Sequence, residues 1–106
     1  MDILEKKQHY IMLFDFYETL LTKKQREIFQ LYYFDDLSLA EIADMSNVSR
    51  SAIFDHIKKV HTSLDTYEEK LQLMDKFAKR EQLFEEYAQE DDTKIKQLIQ
   101  DLKEIE

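Results

Sequence analysis

Leu37-Ser38-Leu39-Ala40-Glu41-Ile42-Ala43-Asp44-Met45-Ser46-Asn47-Val48-Ser49-Arg50-Ser51-Ala52-Ile53-Phe54-Asp55-His56-Ile57-Lys58-Lys59 is the stretch on which the fold turns. Ser38 and Glu41 have capping-box spacing, in which hydroxyl and carboxylate satisfy the free N–H groups of a starting helix. A short helix over roughly 39–45 follows. Asn47 sits where a tight turn needs a left-handed residue, and asparagine adopts that conformation more readily than most residues with a Cβ. Ser49 is placed to cap a second helix from Arg50. Ile42 and Val48 are apolar anchors for the crossing, and Ala43 is small enough to let the second helix pass close. Ala52, Ile53 and Ile57 then face inward, which leaves Arg50, Ser51, Phe54, Asp55 and Lys58 on the outer face. Residues 38–59 therefore spell a helix-turn-helix.

The surrounding chain is consistent with an all-α fold. Its 106 residues include neither Gly nor Pro. Turns with φ > 0 normally draw on Gly, so tight hairpins are hard to build from this alphabet and long helices with short polar connections are favoured. The periodicity predicts a helix over roughly 3–20, apolar on more than one stripe and so contacted from more than one side. A second helix over 23–34 starts at the capping-box pair Thr22 and Gln25 and stops at Asp35-Asp36. The helix beginning at Arg50 has no stop signal. Ile53, Ile57, Val60, Leu64, Tyr67, Leu71, Met74 and Ala78 recur at helical spacing, either as one long rod or with a break near Thr62-Ser63. Ile95, Leu98, Ile99, Leu102 and Ile105 mark a last amphipathic helix behind the acidic Gln89-Glu90-Asp91-Asp92. The expected organisation is a helix-turn-helix domain with flanking helices over 1–88 and an acidic helical tail over 89–106.

Several chemistries are excluded. Without Cys there are no disulfides, thiolate metal sites or Cys nucleophiles, and without Gly there is no phosphate loop of the P-loop or Rossmann type. His9, His56 and His61 are not accompanied by a carboxylate set with metal-ligand spacing, so structural or surface roles are expected for them. No cofactor and no enzymatic activity are expected. No stretch is apolar for long enough to span a bilayer. The start, Met1-Asp2-Ile3-Leu4-Glu5, lacks the basic region of a signal peptide, so a soluble cytoplasmic protein is expected.

In a DNA-binding unit of this type, the N-terminal half of the second helix enters the major groove. Arg50 is suited to bidentate pairing with guanine, and Ser51 to several base edges. Lys58, Lys59 and the Ser49 hydroxyl are placed for phosphates, and Lys23 and Lys24 at the start of helix two extend that set. Phe54 suits a thymine methyl or a packing contact. Asp55 suits cytosine N4 but repels phosphate. Residues 46–61 carry a local charge of +2, whereas the whole chain carries −8, with −5 of it in residues 85–106. An acidic chain repels nucleic acid as a whole, which keeps a protein- or RNA-binding adaptor in view as the alternative. The apolar faces of helix one and residues 60–87 exceed what a small helix-turn-helix would cover. A homodimer is therefore expected, with Ile11, Phe14, Tyr17, Leu64, Tyr67, Leu71 and Met74 as interface candidates.

Certain runs resemble a known family. They are Leu21-Thr22-Lys23-Lys24-Gln25, Tyr32-Tyr33, Asp35-Asp36 through Ala43, Val48-Ser49-Arg50-Ser51-Ala52 and Ile57-Lys58-Lys59. Phe14-Asp15-Phe16-Tyr17 and Tyr67-Glu68 with Lys70-Leu71 add to them. Together they are similar to the YlxM family of DNA-binding proteins of Gram-positive bacteria, over roughly residues 5–88 and not the tail after Tyr87. The resemblance implies a helix-turn-helix like region 4 of sigma-70 factors. It also implies a regulatory link to the signal recognition particle pathway, whose genes commonly neighbour the family's, with that particle's protein or RNA as partner.

Overall fold

A computed structural model describes residues 1–106. It is all-helical, with α1 over Ile3–Tyr17, a short 3-10 turn over Glu18–Leu20, α2 over Lys23–Tyr33, α3 over Leu39–Ser46, α4 over Arg50–Leu71, α5 over Leu73–Tyr87 and α6 over Thr93–Ile105. These form two compact units, Met1–Gln72 and Leu73–Glu106.

The caps set the helix starts. The Thr22 and Ser38 hydroxyls accept from the backbone N–H groups of Gln25 and Glu41, whose side chains return to the cap N–H groups, completing two capping boxes. Ser49 accepts from Ala52 N–H at 3.1 Å. Asp2 and Asp92 cap α1 and α6. Asp36 turns left-handed at φ 53°. Around it the Asp35 and Leu37 N–H groups close on the carbonyls of Gln30 and Leu31, and α2 stops.

In the first unit α4 is the hub, packed against α1, α2 and α3. Its inward stripe is Ile53, Ile57, Val60 and Leu64, all buried. Ile28 of α2 with Ile42 and Ala43 of α3 close over Ile53 and Ile57. Phe14 of α1 stacks on Phe29 of α2, ring centroids 4.3 Å apart. Fully burying each such aliphatic or aromatic side chain contributes about 1.5–3 kcal/mol. Tyr10 donates to Asp65 and Tyr17 to Glu68, so α1 lies along α4 in the same direction.

Three expectations change here. The long helix does not break at Thr62-Ser63. The Thr62 hydroxyl donates to the Lys58 carbonyl within the helix, and the break comes at Gln72, at φ 56°. Val48 is not a buried anchor but 44% exposed, and Ile42, Ala43 and Ile53 clamp the turn without it. Phe14, Tyr17 and Leu64, expected at a dimer interface, are at most 3% exposed within the single chain. Tyr67 is half-buried and donates to the Leu20 carbonyl, Ile11 and Met74 are half-buried, and Leu71 is 44% exposed. Three of the seven apolar side chains expected to meet a partner are thus covered within one chain, and the other four keep part of their surface open.

In the second unit α5 and α6 pair antiparallel. Arg80 meets Glu106 at 2.9 Å, and the Lys103 ammonium lies 5.5 Å from the centre of the Phe84 ring. The tail is thus half of a helical pair. Leu98, Leu102 and Ile105 of α6 remain exposed. No helix is long and apolar enough to cross a membrane.

Candidate nucleic-acid interface

The candidate face is built by the turn between α3 and α4. Asn47 takes φ 54° and ψ 44°, and its N–H returns to the carbonyls of Ala43 and Asp44. The Val48 N–H closes on the Ala43 carbonyl at 3.1 Å. With Ile42 and Ile53 buried beneath this turn, the first turns of α4 project from the body. Ser49, Arg50, Ser51, Phe54, Asp55, Lys58 and Lys59 are all exposed. Arg50, Phe54 and Lys58 repeat every four residues and so form one stripe. The Ser49 oxygen is used by the cap, but its hydroxyl proton remains available to a phosphate. Ala52 is half-buried, and Ile53 and Ile57 are buried, as the spacing predicts.

Lys23 and Lys24 are not brought to this face. They start α2 just after Leu20, whose carbonyl is held by Tyr67. At 1.5 Å per helical residue, Tyr67 lies roughly 25 Å along α4 from Arg50. Lys23 also sits 4.0 Å from Glu27, and the neighbouring Arg26 turns back to the Leu21 carbonyl at 2.7 Å. Lys6 and Lys7 take their place, because α1 runs alongside α4. They line a groove with Tyr32, Tyr33, Asp36, Leu37, Phe54, Ile57, Lys58 and His61. Nothing local in Glu5-Lys6-Lys7-Gln8 announces this, since these other lining residues lie about 25 to 55 positions away in the chain.

The groove wall is a polar-aromatic cluster joining three helices. Tyr33 Oη and His61 Nε2 are 2.6 Å apart, and Tyr10 stacks on the His61 ring at 3.9 Å. Burial holds the His61 imidazole down at about 4, the Lys6 charge pushes the same way, and Asp65 opposes both. Burial, then the hydrogen bond and charge of Asp65, push the Tyr10 phenol up to about 12. Burial also raises Tyr33, helped by Tyr32 and Tyr10. His61 is therefore neutral at neutral pH, hydrogen-bonded through Nε2 to the Tyr33 hydroxyl. No group of three or more His, Asp or Glu side chains converges as a metal site would require.

Residues 4–105 match the family described as "Putative helix-turn-helix protein, YlxM / p13 like", UPF0122. The chain belongs to this family. The match runs beyond Tyr87, so the tail lies inside the family domain and not outside it. Members from Bacillus cereus strain AH187, Bacillus anthracis strain A0248 and Bacillus thuringiensis subsp. konkukian are each 47% identical over 103 residues, spanning 97% of this chain and 86% of the relative. The family is described by its helix-turn-helix and not by an enzymatic activity.

Proposed function

We propose that this UPF0122 protein binds duplex DNA with the N-terminal half of α4 in the major groove, as a regulatory protein. The observation that carries the reading is the exposed Arg50–Phe54–Lys58 stripe on a capped helix held by a left-handed asparagine turn. Arg50 and Ser51 contact base edges, while Lys58, Lys59 and the Ser49 hydroxyl contact phosphates. Fluorescence anisotropy on duplex DNA across a salt series tests this. Binding weakens steeply with salt, Arg50→Ala costs about 1–3 kcal/mol at a preferred site, and Lys58→Ala lowers the salt slope by about one. Absence of binding at low salt, or affinities that neither substitution changes, contradicts it.

A second reading draws on the net charge of −8 and on Asp55 within the outer face. In it the protein is a helical adaptor in the signal recognition particle pathway, binding that particle's protein or RNA, as the family resemblance implies. Co-purification of particle components that survives nuclease, together with no affinity for duplex DNA, distinguishes this reading from the first.

A further inference from the structure

The groove beside α4 has features that a DNA-facing flank does not require. It is an open groove with a volume of about 660 Å³, within the range of small-molecule sites. Its lining is aromatic and aliphatic, with Tyr32 of α2, Leu37 after it, and Phe54 and Ile57 of α4. Its rim is cationic. Lys7 is paired with Asp36 at 3.2 Å, but Lys6 and Lys58 have no carboxylate partner among the ion pairs of the chain. The lining carries three lysines against one aspartate, in a chain whose net charge is −8. Nothing in the composition requires cations to collect around an aromatic groove.

The matching ligand has a flat, largely apolar body and at least two negative charges. An inorganic phosphate would leave the aromatic walls uncovered. A helical acidic peptide is 10–12 Å across with its side chains, so three turns displace roughly 1,000 Å³ or more and would lie mostly outside. We propose that the groove binds a free nucleoside phosphate, the base against Tyr32 and Phe54 and the phosphates at Lys6 and Lys58. Base–aromatic contact is indifferent to base identity, so modest selectivity among bases is expected. Phe54 and Lys58 also belong to the face proposed for DNA. A bound nucleotide withdraws both from that face, which makes this an effector site; this consequence rests on the DNA-binding reading, whereas nucleotide binding itself does not.

Calorimetric titration of the full chain, without DNA, tests the site with ATP and GTP as probes against adenosine, guanosine and tripolyphosphate. The expected result is saturable one-to-one binding of at least one nucleotide, at least about tenfold tighter than its nucleoside or tripolyphosphate, because ring and charge are both used. Phe54→Ala and Lys6→Ala each weaken it by about fivefold or more, while Lys94→Ala, an equal charge change on exposed α6, does not. Phe54 and Lys6 are exposed, so unchanged melting temperatures confirm that the variants remain folded. Failure to saturate at millimolar nucleotide overturns the proposal. So does tripolyphosphate binding as tightly as the nucleotides, or equal loss in Lys94→Ala and Lys6→Ala. Each of these results leaves the DNA measurement untouched.

Discussion

His61 shows how one side chain ties three helices together. It hydrogen-bonds the Tyr33 hydroxyl of α2 and stacks on Tyr10 of α1, and both contacts suit the neutral imidazole. Its pKa is about 4 in the folded chain against 6.5 for the free side chain. The unfolded chain therefore binds the proton more tightly. The stability that neutral His61 contributes is complete above pH 6.5 and is lost as pH falls toward 4. The melting temperature should drop across that window, and less so in His61→Gln, which cannot take a proton but still offers Tyr33 an acceptor. Equal slopes in the two proteins, measured by circular dichroism, count against this role. Tyr10 has the opposite sign, since a phenol pushed up to about 12 contributes stability that is lost as pH rises from 10 through 12. A structural or surface role for His61 was legible in the sequence. Its partners were not, because Tyr10 and Tyr33 reach it only through tertiary packing.

Among the elements, the α3–α4 turn makes the sharpest local demand. Asn47 at φ 54° accepts a conformation that costs most side chains about 1–2 kcal/mol. Asn47→Gly should leave the melting temperature nearly unchanged. Asn47→Val, β-branched at the same position, should destabilise by about 1–2 kcal/mol in urea titration, and the reverse order would refute the turn assignment. Ser38→Ala, which removes one half of a capping box, should cost about 1 kcal/mol. These starts were legible because caps are local: Thr22, Ser38, Ser49 and Asn47 each do what their neighbours imply. The end of α4 was not. Gln72 turns left-handed although glutamine has no preference for doing so, and the apolar spacing continues through Leu71 and Met74 as though the helix went on. Val48 failed for a related reason, because apolar character alone does not say whether Ile42, Ala43 and Ile53 already suffice to close the turn.

For the molecule as a whole, α4 both supports the core and presents the exposed stripe proposed to meet DNA. Its buried stripe holds α1, α2 and α3, so Leu64→Ala, at 0% exposure, should destabilise the first unit by about 2–5 kcal/mol. The outer stripe can vary without that cost. The placement of cations could not be foreseen from the chain. Lys23 and Lys24 look suited to phosphates in sequence yet start α2 near the C-terminal half of α4, while Lys6 and Lys7 are carried to its N-terminal half by the direction of α1. Nor does an excess of apolar residues say which of them cover one another within a chain, as Phe14, Tyr17 and Leu64 do. The most direct test of DNA binding through α4 is a backbone-amide NMR titration of the full chain with a short duplex at low salt. Perturbations concentrated at residues 49–59 are expected, with smaller ones near Lys6 and Lys7. Shifts confined to α5 and α6, or no shifts at all, would contradict it.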